Sequence, residues 1–506
     1  MCVPSRSTWR RLVGSLTVLF AFTAMTSLAQ AKSPSLQAAA VTFALEPEVG
    51  VPADFTATGM KINRVESDLK STIILIEQGD QRMALFATPF PFDSRRPLQN
   101  AAKAILSDAL DLTPAEIVLA SSHDHSVPAM HIAPGPDGDP TGEANDIGQA
   151  MIDGLRRSAS GLRAKLVPVT VAWGVAEEHR MTYNRRGQRE DGSTYFMREE
   201  DRALLGEDFV GQIDPLAPVV LLRGKDGAAV AALALFTGHP VTAYNPEDPM
   251  AFGQWPQLAT TALSEHLGGA PVAFLQGCAG DINSKFMLTG TMEQAHQMAA
   301  YLSETFIKAA DAARPATDSD FVWKRATATV PLAPLPTIES LQASLAEIDA
   351  FVVRAEAGDE DTLSCVGLNF PRALSPIYRS KLVAPVRRWY AWALEQRQAG
   401  TADELPREVE MGIVAAQLGG VGIVGLPFEA FVRTGFKIRQ EAPQALVLTA
   451  AYVEGAQGYI PDATAVGDLE YQAGFYRYLH GRPPYAEPGA DAAADDAVAA
   501  LRSLHR

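Results

Sequence analysis

Apolar residues in this chain come in short, dense runs that alternate with stretches of helical period and with polar turns containing Gly and Pro. Residues 71–77 (STIILIE) and 82–87 flank Gly79-Asp80, which predicts a hairpin. A helix over about 98–110 follows, and Pro114 then precedes the run 117–120 (IVLA), a buried strand. The same alternation recurs downstream. A helix near 148–159 leads into a strand over 166–175. Runs 217–223 and 228–236 pair around a Gly-Lys-Asp-Gly turn, a helix covers 256–267, and 271–275 is another strand. Helices over about 292–312, 338–357 and 378–398 are assigned to packing and outer walls. Strands 412–417 and 421–424, a helix reaching about 440, and a strand over 446–452 complete the pattern. Strands and helices in this order predict an α/β fold with mixed sheets flanked by helices.

Polar residues of chemical interest stand just past several of these strands. Residues 121–126 (SSHDHS) follow the strand 117–120. In an extended chain, side chains two apart share a side, so His123 and His125 would address one volume while Asp124 turns away. A lone His-x-His is also compatible with ordinary surface histidines. His239, in Thr-Gly-His-Pro, ends the run 228–236; Glu429, placed at a helix start, follows 421–424; Tyr459 follows 446–452. In open α/β sheets, sites form outside the carboxyl ends of strands, so these residues are candidates for one site. Each also has a plain structural reading: a strand-end His239, a Glu429 that suits a helix N-terminus, a core Tyr459. Small residues 277–280 would let backbone pass close to a pocket, and the loop 133–142 is a candidate wall. His131 and His179 read as surface residues.

Composition narrows the setting. The chain has 506 residues, a formal charge of −16, and the charged and apolar fractions of an ordinary globular protein. Arg6, Arg10 and Arg11, an apolar run over 12–28, and Ala29-Gln30-Ala31 predict a secretory signal over residues 1–31, with one catalytic domain over 32–506 and a secreted or periplasmic destination. Cleavage would take the charge from −16 to −19. So acidic a chain argues against nucleic acid as a partner, and no other run reaches the length of a spanning helix. Cys278 and Cys365 would remain after cleavage, and sequence leaves open whether they pair.

Taken together, His123-Asp124-His125-Ser126-Val127-Pro128, Asn184-Arg185, His239-Pro240, Gly280-Asp281-Ile282-Asn283, Glu429 after a Gly-x-Pro turn, and Tyr459 with Tyr471 twelve residues beyond it resemble, in order, the motifs of the neutral ceramidase family. Those enzymes are zinc amidases that cleave the N-acyl bond of ceramide. The resemblance spans nearly the whole chain after residue 31, without the family's C-terminal immunoglobulin-like domain. It implies a zinc site of His123, His239, Glu429 and Tyr459, with His125, Arg185 and Tyr471 catalytic and Arg186 a substitute for Arg185. Imidazole and carboxylate are usual zinc ligands, and a zinc-bound hydroxide would attack the amide carbonyl with His125 carrying the proton. Arg185 and Tyr471 would donate to the developing oxyanion.

The chain departs from the family where Asn283 stands in place of a serine, where Val127 and Ala129 replace glycines and would narrow the entrance, and in Gln254-Trp255-Pro256-Gln257. The expected substrate is an N-acyl lipid or another N-acylated small molecule. Two alternatives stay open: a zinc-dependent hydrolase or lyase of an ester or carbohydrate derivative, and a non-catalytic binding protein with a structural metal.

Overall fold

The structure, a computed structural model, describes residues 34–505 except 57–58, 93–96, 134, 136–141, 207, 289, 318 and 456. The signal segment 1–31 and most of the expected loop wall 133–142 therefore lie outside the described residues.

Three sheets of four or five strands organise the described residues, and each is built around the same unit. In the first, β1 (Gln37–Leu45), β2 (Leu69–Gln78) and β3 (Gln81–Thr88) run antiparallel, and helix α1 (Pro97–Leu110) crosses over to β4 (Ile117–Ser121), parallel to β3. In the second, β5 (Thr170–Glu177), β6 (Leu216–Arg223) and β7 (Ala229–Phe236) are antiparallel, and α3 (Gln254–His266) crosses to the parallel β8 (Val272–Gln276). In the third, β9 (Phe321–Pro331), β10 (Glu408–Leu418) and β11 (Val421–Gly425) are antiparallel, and α7 (Val432–Glu441) crosses to the parallel β12 (Leu446–Ala450). A tight turn can join only antiparallel neighbours, so every parallel pair needs its helix.

The strands read as unbroken apolar runs because both faces are buried. Along β2, Ile74 and Ile76 face a core shared by all three sheets, while Ile73 and Leu75 pack under α1 and α2 (Asp146–Ala159). Along β7, Leu233 and Leu235 join the shared core, and Ala234 and Phe236 pack under α3 and α4 (Met292–Asp311). The third sheet is covered by α5 (Ile338–Glu356), α6 (Pro376–Ala399) and α8 (Ala490–Arg502). The period of two thus sorts each strand between an inner core and its own helical layer.

Two element readings need correction. The expected strand 166–175 is divided: Val167–Pro168 pairs with β1 in the first sheet, while Thr170 onward belongs to the second. The chain changes sheets at Val169. The strand expected to end at Tyr452 stops at Ala450, and Tyr452 takes φ 59°.

At the carboxyl ends of the parallel pairs the sheets meet. Gln276, the last residue of β8, donates through Nε2 to the Gly238 carbonyl beyond β7 (2.6 Å) and to the Ser122 carbonyl beyond β4 (3.2 Å). Its own carbonyl accepts Ala451 N–H from beyond β12 (2.9 Å). One buried glutamine therefore ties all three strand ends together.

Candidate metal centre

His123 sits two residues past β4, where the backbone turns sharply. It adopts φ 59°, the left-handed region, with its N–H donating to Ser121 Oγ at 2.9 Å. A residue with a Cβ pays about 1–2 kcal/mol for that conformation, and such strain collects at functional sites. The extended-chain reading of the histidine pair is corrected here: the left-handed turn, rather than a strand's pleat, brings the two rings to a centroid separation of 4.8 Å. Asp124 is fully buried, its Oδ1 accepting the Ser126 N–H at 2.8 Å, and burial pushes its carboxyl well above the usual range. Gln254 holds the far side of the loop, donating through Nε2 to Ser126 Oγ at 2.8 Å.

His239 arrives from β7 with its ring fixed. Nδ1 lies 3.1 Å from the Ile282 carbonyl, which can only accept, so the proton is on Nδ1 and the Nε2 lone pair faces the site. Glu429 is not at a helix start, as expected; it lies in a two-residue parallel ladder directly opposite Tyr459, and α7 begins only at Val432. Asp281 takes over the helix end, accepting Val432 N–H at 2.8 Å. Gly280 packs beneath this ladder, where an added Cβ would come within 2.5 Å of the Glu429 carbonyl oxygen.

The donor atoms converge. Glu429 Oε2 is 3.3 Å from His123 Nε2 and 3.2 Å from His239 Nε2, and the Tyr459 hydroxyl is 3.1 Å from His239 Nε2. Burial, with the Arg185 charge beside it, pushes His239 down to about 3, so this imidazole is neutral. Burial alone would raise Glu429, but the attraction of His123 reverses that and holds its carboxyl well below the usual range. The His239 Nε2 lone pair faces the Arg185 Nη2 donor at 3.3 Å and the Glu429 carboxylate oxygen, itself an acceptor, at 3.2 Å. A cation between nitrogen and carboxylate would reconcile the two acceptors. Zinc ligands at about 2.0–2.1 Å in a tetrahedral array lie about 3.3 Å apart, so the residues present fit that ion. His123, His125 and His239 also form a three-imidazole group whose ligand atoms lie within 4.8 Å of one another.

His125 faces the space next to this cluster. Its ring stacks on Phe55 at 4.1 Å and meets the edge of Tyr244 at 5.1 Å, and neither ring nitrogen has a hydrogen-bond partner among the described residues. Burial, reinforced by His123 and His239, pushes it well below the ordinary histidine value.

Arg185, rather than Arg186, enters the site. Its Nη2 donates to Tyr459 OH (2.8 Å) and the Gly280 carbonyl (2.9 Å), and its Nη1 donates to Asn283 Oδ1 (3.0 Å). The Gln472 amide oxygen accepts from Nε at 2.9 Å. Arg186 turns to Asp462 and Asp468, at 3.9 and 3.7 Å. Asn283 is therefore a buried acceptor for the guanidinium.

Above the cluster opens a cavity of about 670 Å³, with His125, Arg185, Tyr459 and Tyr471 among its lining residues. The Tyr471 ring lies 5.5 Å from that of Tyr459. The rest of the lining is mostly apolar, including Phe55, Phe196 and Leu374. Helix α6 is part of it, through Tyr378, Leu382 and Pro385, and so is not the outer wall expected. Val127 does not narrow the entrance; it is fully buried in the core beneath α1 and α2. Cys278 and Cys365 are free, buried thiols.

Sequence reading missed Gln276, Gln472, Tyr244 and Tyr452. Only Gln276 carried a signal, as the polar end of an apolar strand. Tyr452 places its ring 4.5 Å from that of His123 through its left-handed backbone.

No family model matches the chain, and no curated protein matches it. Among solved structures, a crystal structure of neutral ceramidase from Pseudomonas aeruginosa is similar, with a TM-score of 0.60 at 16% identity over 93% of this chain and 75% of that one. A ceramidase complexed with C2 is similar at a TM-score of 0.61 and 16% identity, over 93% and 76% of the two chains. The chain has the neutral ceramidase fold, mixed α/β, with a histidine group able to hold a metal where the three sheets meet.

Proposed function

We propose that this protein is a zinc-dependent amidohydrolase that cleaves the N-acyl bond of a lipid or similar N-acylated small molecule. The observation that carries the reading is the convergence of His123 Nε2, His239 Nε2 and Glu429 Oε2, at 3.2–3.3 Å, beside an apolar cavity of about 670 Å³. His123, His239 and Glu429 would hold the ion, with Tyr459 beside them. Bound zinc supplies Lewis acidity, polarising a carbonyl and bringing the pKa of water to about 7. The Ile282 carbonyl keeps the His239 lone pair turned inward, and the Glu429 carboxylate balances the added positive charge. His125, neutral and unpartnered, takes a proton from the attacking water on a ring nitrogen and returns it to the leaving amine. Tyr471, on the cavity wall, donates to the oxygen on which charge develops. Arg185 contributes positive charge from beneath, held by Asn283 and Gln472. With Asn283 occupied in this way, no serine nucleophile enters the scheme.

The apolar lining supports an acyl chain and gives a carbohydrate derivative few partners. The same proposal takes residues 1–31 as a secretory signal and the remainder as a single catalytic domain acting in the periplasm or outside the cell. Among the described residues no helix is long and apolar enough to cross a membrane.

Zinc analysis of the purified protein, with fatty-acid release from N-acyl amides measured with and without chelator, tests the reading. The expected result is near-stoichiometric zinc and chelator-sensitive turnover, and a metal-free, fully active enzyme would sink it. His125→Ala should keep the zinc and lose about 10²- to 10⁴-fold in kcat. That outcome also separates catalysis from a structural metal.

A further inference from the structure

The same cavity carries two cations that the proposed chemistry leaves unused. Lys381 and Arg388 both line it from α6, both are exposed, and neither makes a hydrogen bond or ion pair among the described residues. They stand seven residues apart, two helical turns or about 10 Å, on the face that also presents Tyr378, Leu382 and Pro385 to the cavity. The neighbouring Arg387 points elsewhere and pairs with Asp349 at 2.6 Å. Glu247, next to the lining residue Pro246, is engaged by Ser375 at the start of α6, through N–H at 2.8 Å and Oγ at 2.6 Å. In a chain of formal charge −16, the described residues that line this cavity include Arg185, Lys381 and Arg388 and no carboxylate.

From this arrangement we infer that Lys381 and Arg388 form a subsite for an anionic group, a carboxylate, sulfate or phosphate, carried by the substrate at a distance from its scissile amide. This rests on the cavity being the substrate site. The buried end places His125, Arg185, Tyr459 and Tyr471 at the amide, the apolar wall takes the hydrocarbon between, and the exposed pair meets the anion where water still reaches it. A substrate of this class is an amphipathic N-acyl compound with a negative end, in contrast to a wholly neutral lipid. The anion could sit on the far end of the acyl chain or on the amine fragment, and the chemistry at Lys381 and Arg388 is the same for both.

The test compares kcat/KM for amides of one chain length in three forms: neutral, carboxylated at the ω-end of the acyl chain, and carboxylated on the amine. Wild-type protein is set against Lys381→Ala/Arg388→Ala. Two exposed charge contacts correspond to a preference of about five- to tenfold for one anionic form over the neutral one. That ratio should fall to about one in the double variant, and should shrink in wild type as salt is raised. The anionic arm that wins identifies the fragment bearing the charge. An anionic-to-neutral ratio near one in wild type, or one unchanged in the variant, overturns the subsite. If no amide is hydrolysed, the proposed function fails, and the subsite is then judged by calorimetric binding of dodecyl phosphate to both proteins. Binding weakened severalfold in the variant supports it, and equal binding overturns it.

Discussion

The floor and the wall of the cavity are built on opposite principles. The floor is polar, buried and over-determined: Arg185 alone is held by Asn283, Gly280, Tyr459 and Gln472. Its residues come from strand ends that Gln276 ties together. The wall is apolar, comes from α6 and the segment around Tyr471 to Tyr478, and ends in two cations that have no ion-pair partner among the described residues. On the proposed function, such a site separates reaction from selection. Substitutions in the floor would disturb the residues that hold the metal, whereas a substitution at a wall residue such as Leu382 would chiefly change the shape of the cavity. The contrast teaches that chemistry and specificity here have different tolerances to substitution.

The largest effect that would break this contrast is expected at Glu429. Glu429→Ala removes the one oxygen shared by both imidazoles, and zinc content should fall well below stoichiometric, with kcat/KM down at least about a thousandfold. Metal analysis alongside kinetics decides it, and retained zinc would shift the ligand set to the three histidines.

Next comes Asn283→Ala, which removes an acceptor from a buried guanidinium at a cost of about 1–3 kcal/mol. A loss of roughly ten- to a hundredfold in kcat with zinc retained is expected, and unchanged kcat would show that Arg185 needs no such hold.

A wall substitution should behave differently. Leu382→Trp fills part of the cavity and should raise KM severalfold for long acyl chains while leaving short ones near wild type. Equal loss on all chain lengths would place the chain elsewhere.

The smallest effect concerns stability. Burial raises Glu470 to about 7 from 4.5, although the Gln472 and Ala473 N–H groups favour its ionised form. Because the folded-state value is the higher one, the stability linked to this group is fully present below 4.5 and is lost as pH rises through about 7. Glu470→Gln should therefore gain on wild type between pH 5 and 8 in urea-unfolding midpoints, and parallel curves would refute the assignment.

How much of this could be read from the chain follows the same division. His123, His239, Glu429 and Tyr459 were legible because each follows an apolar run, and a run buried on both faces leaves a strong local trace. Arg185 was legible only through the family resemblance, with Arg186 as its substitute, and hydrogen bonding separated the two. Glu429 was found for the wrong local reason, since the ladder with Tyr459 joins residues thirty apart. Val127 was misplaced because a residue next to a site residue can face the core. Tyr244, Tyr452 and Gln472 left no periodic trace at all.

By itself the sequence determined the alternation of strands and helices, the candidate chemistry at the strand ends, and the acidic balance of the chain. These are properties of local order, set by side-chain period and by turn residues. Only the tertiary structure decided that three sheets share one core, that a left-handed His123 and a Gln276 tie bring their ends to within a metal's reach, and that α6 turns a cationic face to the cavity. Those outcomes depend on packing between segments far apart in the chain, and periodicity within a segment carries no record of which distant face it will meet.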